Sequence, residues 1–380
     1  MLPTPLPRLS SVAARPKGCL KQLPEDFVVE EIPAYLPSGE GEHLYLWIEK
    51  RDLPAEQLLR HVARSLEISQ SDIGCAGMKD RRAVTRQWLS VPAKSVDRIP
   101  LLESDRVSVL DQRRHGNKLR TGHLAGNRFT ILVRTLGNSG ADDESVSEPV
   151  LETLQPALER MRQLGFANYF GDQRFGRDGE TLLLGYDLLA GRKTPRDIPY
   201  ARRKFLLKLA LSSVQSDLFN RTLAARIDDQ LMATVLPGDV MEVVASGGKF
   251  LVEDVAAEQI RCAAGETALT GPMFGLKMKQ PEGEPALREA RILEQSGLTL
   301  ASFGGFGDLL SGTRRRYLIR PGELTAAEDV GGIRLEFTLP AGVYATTLVD
   351  ELFETHEREN TNPDGASDLP APDVPPAASP

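Results

Sequence analysis

A carboxylate ringed by cations stands in the stretch Gly74-Cys-Ala-Gly-Met-Lys-Asp-Arg-Arg-Ala-Val-Thr-Arg-Gln-Trp88. Asp80 has Lys79, Arg81, Arg82 and Arg86 as sequence neighbours, the small residues Gly74, Ala76 and Gly77 before it, and a strand-like run over 88–91 after it. A cationic surround favours the charged carboxylate that a nucleophile or a base requires. The same cations could grip phosphates on either side of a nucleotide. An Asp80 that merely caps a turn and pairs with one arginine fits the same residues. A second stretch, Gly165-Phe-Ala-Asn-Tyr-Phe-Gly-Asp-Gln-Arg-Phe-Gly176, packs aromatic, amide, basic and glycine residues together. Such a set suits a base turned out of its stack, which needs an aromatic face and hydrogen-bond partners for its edge. Phe166 and Phe175 equally suit a core beneath a loop.

The elements around these stretches alternate between strand and helix. Residues 43–50 place Leu44, Leu46 and Ile48 on one face of a strand and Tyr45, Trp47 and Glu49 on the other. Pro54 opens a helix with Leu58, Leu59, Val62 and Leu66 at helical spacing. Phe129, Ile131 and Val133 mark a further strand, Leu154, Leu158, Met161 and Leu164 a helix over 152–164, and Leu335 and Phe337 a strand over 333–339. No Gly-rich turn of the dinucleotide or P-loop kind links a strand to a helix, so the pattern is α+β. The middle of the chain predicts a long helix over 202–227, a hairpin over 240–252 turning at Gly247-Gly248, and a helix over 286–296 stopped by Gly297. Lying between segments that read as one sheet, it is expected to be an insertion.

Composition narrows the function classes. The 380 residues are enough for about two domains. No apolar run reaches the ~18 residues a membrane span needs, and no signal core follows the N-terminal prolines, so a cytoplasmic protein is expected. Cys19, Cys75 and Cys262 form no CxxC, and the five histidines no HxH or HxxxH pair, so neither a disulfide framework nor a metal site is expected. The net charge of −7 is carried entirely by residues 350–380, where eight acids face the single base Arg358. Residues 79–134 hold thirteen bases against five acids, a local excess that can neutralise phosphates whatever the total charge. From Glu359 onward the chain is rich in Pro, Asp, Ala and Ser and is expected to be disordered; the polar stretch 137–149 is expected to be a surface loop.

Five stretches in order complete the picture: Pro24-Glu-Asp-Phe-Val-Val-Glu-Glu31, Ala76-Gly-Met-Lys-Asp-Arg-Arg-Ala-Val-Thr85, Lys118-Leu-Arg-x-Gly-x-Leu-x-Gly-Asn127, Asn168-Tyr-Phe-Gly-x-Gln-Arg-Phe-Gly176 and Leu339-Pro-Ala-Gly-Val-Tyr-Ala-Thr346. With them the chain resembles the bacterial type of the TruD family of tRNA pseudouridine synthases. The resemblance implies the pseudouridine synthase fold, a mixed and mostly antiparallel sheet with flanking helices, interrupted by an inserted α+β TRUD domain. The domains expected from it are a flexible 1–17, a discontinuous catalytic domain of 18–177 and 318–356, an insertion of 178–317 and an acidic tail of 357–380. It further implies a cofactor-free isomerisation of uridine, at position 13 of certain tRNAs, by a chain expected to act as a monomer. Asp80 maps onto the family's catalytic aspartate, Phe170 onto the aromatic that stacks on the target base, and Asn168 onto the polar residue beside it. Phe27 and Lys21 match residues lining the site, and Lys79, Arg81 and Arg82 are expected to position phosphates. Met78, Tyr344 and Asp350 depart from the family's usual residues without removing a catalytic group. Two other classes fit parts of the chain: a catalytically silent RNA-binding protein, which the intact Asp80 argues against, and a protein-interaction module built on the tail, which leaves 168–176 unexplained.

Overall fold

The structure is a computed structural model that describes residues 6–9, 15–135 and 149–357. The loop expected over 137–149 and the tail expected from residue 357 lie, but for Pro149 and Glu357, outside the described residues, as do 1–5 and 10–14 of the expected flexible N-terminus. The described chain forms two compact units, one of 15–162, 321–345 and 352–357, the other of 6–9, 163–320 and 346–351.

The first unit opens with β1 (Lys17–Leu20), β2 (Phe27–Pro33), β3 (His43–Arg51), α1 (Ala55–Leu66), β4 (Gly74–Cys75), β5 (Val84–Pro92), β6 (Val107–His115) and β7 (Leu124–Thr135), followed by α2 (Val150–Leu164). The second holds β8 (Phe166–Ala167), α3 (Glu180–Leu189), α4 (Arg203–Asp228), β9 (Val240–Val243), β10 (Lys249–Leu251), α5 (Val255–Ala264), β11 (Thr267–Met273), α6 (Gly283–Gln295), β12 (Thr313–Arg316) and β13 (Leu318–Ile319). Then come β14 (Gly322–Asp329), β15 (Gly332–Pro340), α7 (Ala345–Leu352) and β16 (Glu354–Glu357).

One sheet dominates the first unit, in the order β14-β15-β7-β2-β5-β3-β6, with β1 joining β7 to β16 and β4 joining β5. All its pairings are antiparallel except β2 with β5 and β1 with β16. The alternation of β3 explains its central place: Leu44, Leu46 and Ile48 pack with Leu58, Val62 and Leu66 of α1. On the opposite face Tyr45 packs with Trp88, Ala76 and Leu119. Burying such side chains contributes roughly 1.5–3 kcal/mol each, so both faces hold the strand in register.

The parallel pairing of β2 with β5 positions the site. Val28 lies beside Val84 and Glu30 beside Arg86, so β2 and β5 are entered from the same edge. The segment before β2, with Lys21, and the segment before β5, with Asp80, therefore meet there. β3 runs antiparallel to β5 and brings its last residues to that edge, Lys50 opposite Thr85 and Arg51 opposite Val84.

In the second unit a four-stranded antiparallel sheet, β10-β9-β11-β12, packs on α4. That helix buries residues around its whole circumference between Leu209 and Leu223, as a helix inside a core must. The two compact units divide near residue 162. β8 pairs with β13, and Asn220 of α4 accepts from the Phe170 amide and donates to its carbonyl, both at 2.9 Å. These bonds tie 166–170 to the second unit, so Asn168 and Phe170 lie there and not in the sheet that carries Asp80.

Candidate active site

Asp80 sits on a turn whose carbonyls are fixed one after another. Ala76 O accepts from the Gly122 amide at 2.8 Å, Asp80 O from Lys50 Nζ at 2.5 Å and Ala83 O from the Asp52 amide at 3.1 Å. Gly74 enters the turn against the chain at Leu119: a Cβ there would run into Leu119 O and Ser90 Oγ. A side chain at the end of such a turn has a defined position, and the Asp80 carboxylate is 55% exposed, open to a substrate.

Lys21 Nζ lies 3.4 Å from Asp80 Oδ2 and 4.5 Å from the centre of the Phe27 ring. Lys21 is in the left-handed region with φ of 55°, a conformation that costs a non-glycine residue about 1 kcal/mol. The turn after it is pinned: the buried Asp26 accepts from the Leu23 amide at 2.8 Å and forms a two-pronged pair with Arg134 of β7 at 2.7 and 2.9 Å. The strained lysine is thus held by its surroundings beside the Asp80 carboxylate. Lys21 thereby brings Phe27 and Asp80 to one place. Phe27 itself is a core residue, edge-on to Phe129, and presents only its face to the lysine.

The other cations divide. Lys79 points inward: its ammonium donates to Asn127 Oδ1 at 2.6 Å and pairs with Glu31 at 3.4 Å, with 7% of the side chain exposed. The ammonium thus faces the sheet, on a buried carboxylate, rather than the surface beside Asp80. Burial pushes the Glu31 carboxyl up, while Lys79 and the Trp88 amide act against it. Arg81 Nε lies 3.9 Å from Asp52, and Arg82 is half-buried in the same turn. Arg86 is engaged by Glu49 at 2.8 Å and Glu30 at 3.2 Å.

Lys50 is the residue sequence reasoning passed over. It is fully buried, and burial pushes its ammonium down to about 8, with the Asp80 and Asp52 charges resisting. A signal was available: the period of two that places Leu44, Leu46 and Ile48 inside places Lys50 with them.

In the second unit Asn168 and Phe170 form a compact cluster. The Asn168 amide donates to Tyr317 O and its side-chain nitrogen to Arg316 O, both at 2.9 Å. Arg315 Nη2 donates to Asn168 Oδ1 at 2.5 Å, and the guanidinium stands 4.1 Å from the Phe170 ring centre. Phe219 meets the same ring edge-on at 5.7 Å, and Phe170 is 8% exposed. Asn168 keeps one N–H and one lone pair for a ligand. Arg315 was not legible in advance: it lies far along the chain in a run of three arginines, and only the pairing of β11 with β12 shows which of them faces this cluster.

Comparison with known proteins extends this picture. The family model for tRNA pseudouridine synthase D (TruD) matches residues 11–195 and 200–352. The chain is 43% identical over 349 residues to tRNA pseudouridine synthase D of Anaeromyxobacter dehalogenans, covering 92% of this chain and 96% of that one. It is 40% identical over 338 residues to the protein of the same name from Thermus thermophilus, covering 89% of each. A crystal structure described as tRNA pseudouridine synthase D from Methanosarcina mazei superposes with a TM-score of 0.71 at 26% identity, over 91% of this chain and 95% of that one.

Proposed function

The chain belongs to the TruD family of tRNA pseudouridine synthases, and we propose that it isomerises uridine to pseudouridine in tRNA with the Asp80 carboxylate as the reacting group. The expected target is uridine 13 of certain tRNAs. The reaction breaks the N1–C1′ bond, turns the detached uracil and joins its C5 to C1′; the hydrogen on C5 leaves to solvent and N1 takes one up. Nothing is oxidised and no group is imported.

The observation that carries the reading is the meeting of Lys21 and Asp80 at the shared edge of β2 and β5, with the carboxylate exposed and its turn fixed from beneath. A carboxylate so placed has two routes, attack on C1′ or removal of the C2′ hydrogen. Lys21 orients it in either. Phe170 supplies an aromatic face for the uracil and Asn168 its spare donor and acceptor, while Arg81 and Arg82 are placed beside Asp80 for backbone phosphates. Asp80→Asn keeps volume and removes charge and basicity, so it should retain tRNA affinity and lose isomerisation. Pseudouridine mapping in unmodified tRNA tests this: undiminished formation by the variant sinks the assignment.

A further inference from the structure

A cleft of about 570 Å³ opens in the first unit between α1 and the chain entering β6. Gln57, Arg60, His61 and Arg64 line it from one stripe of α1, and Asp105 and Arg106 close it from the other side. Two neighbouring arginines are paired with carboxylates, Arg51 with Glu25 and Arg98 with Glu67. Arg60, Arg64 and Arg106 have no such partner among the described residues, although Asp105 shares the rim; Arg60 and Arg106 reach only the backbone carbonyls of Glu56 and Asp52, at 3.4 and 3.5 Å. Arg60 and Arg64 stand one turn apart, where like charges repel, and Glu56, one turn before Arg60, makes no ion pair with it within 4 Å. His61 Nε2 lies 2.9 Å from Leu102 O, and because a carbonyl only accepts, that nitrogen carries the proton and the ring is fixed in the wall.

A chain of contacts links the rim of the cleft to the turn that carries Asp80. Arg106 donates to Asp52 O, the Asp52 carboxylate faces Arg81, and Arg81 follows Asp80. We infer that this cleft holds backbone phosphates of the RNA strand leading away from the target nucleotide, the shared chemistry being a phosphate gripped by converging guanidinium groups. The inference rests on the reading of Asp80 as a tRNA-modifying site.

The test is the affinity of the full chain for unmodified tRNA across a salt series, beside Arg60→Ala/Arg64→Ala/Arg106→Ala. The triple variant should bind about tenfold or more weakly at low salt, with a shallower slope of log affinity on log salt by about 0.9 for each phosphate no longer neutralised. Its single-turnover rate at saturating tRNA should stay within about twofold of wild type, which also shows that it is folded. Arg64→Glu should weaken binding more than Arg64→Ala; equal values, or an unchanged slope in the triple variant, overturn the inference. Inorganic phosphate provides the other arm: if it raises the melting temperature of wild type but not of the triple variant while tRNA affinity is equal, the cleft takes a small anion and the RNA assignment is wrong. A wild-type chain that binds with the steep slope yet makes no pseudouridine refutes the functional reading and leaves the cleft standing.

Discussion

Replacing Lys50 by methionine should flatten the pH dependence of stability and slow isomerisation together. The folded chain holds this ammonium at about 8 against an ordinary 10.5, because burial disfavours the charge. At about 1.4 kcal/mol for each pH unit, that gap corresponds to about 3 kcal/mol. Between pH 8 and 10.5 the unfolded chain keeps the proton the folded chain has shed, so stability rises with pH across that window and is flat on either side. Methionine fills similar space and titrates nowhere. Wild type should therefore gain about 3 kcal/mol over the variant across that window. Near neutral pH the two should be close, because the ~3 kcal/mol cost of burying the charge is comparable with the ~1.5–3 kcal/mol of a charged hydrogen bond to Asp80 O. The same bond fixes the catalytic turn, so the variant's saturating rate should fall about 10²-fold, the scale of a misplacement near 1 Å, with tRNA affinity unchanged. Urea melts at about pH 7, 9 and 10 followed by a signal of the sheet, beside single-turnover assays, measure both. Parallel pH curves for the two proteins would refute the account of Lys50 as a buried cation, and an undiminished rate would refute its role beneath Asp80.

Phe170→Ala should lower the single-turnover rate more than the affinity, since base–aromatic stacking is worth ~1–3 kcal/mol; a large affinity loss with an unchanged rate would assign the ring to docking. Arg315→Ala removes a charged hydrogen bond to Asn168 and a cation over Phe170, so the second unit should lose roughly 2–4 kcal/mol in denaturant melts. Gly165 has φ of 90° and lies against the Ile319 carbonyl, so Gly165→Ala should cost about 2–4 kcal/mol and loosen β8 from β13; a melt like wild type's contradicts this.

Much of this was legible because local pattern and burial agree. The helix read over 202–227 is α4 at Arg203–Asp228, the hairpin is β9 and β10 around Gly247-Gly248, and the strand over 43–50 is β3. Asp80 and Lys21 could be named from motif residues, but their meeting depends on the parallel pairing of β2 with β5, a long-range choice that periodicity does not encode. Proximity in sequence says nothing of direction: alternate residues of an extended turn face opposite ways, and the Lys79 ammonium goes to Glu31 while Asp80 faces out. β8 was not legible because a two-residue strand has no period to detect, and its partner β13 lies far along the chain at Leu318–Ile319.

β1 ends at Leu20, so the lysine that faces Asp80 hangs directly from it, and β1 pairs along its whole length with β16, Lys17 with Glu354 through Leu20 with Glu357. Arg15 adds a bond to Phe353 O at 2.7 Å, and Glu354 N donates to Pro16 O at 3.0 Å. β1 and its parallel partner β16 lie far apart in the sequence. Closing so long a loop is slow and entropically costly, and until then one edge of β1 has no neighbour. Removing β16 should therefore leave Asp80 and most of the sheet in place while taking away the strand that anchors Lys21 beside it.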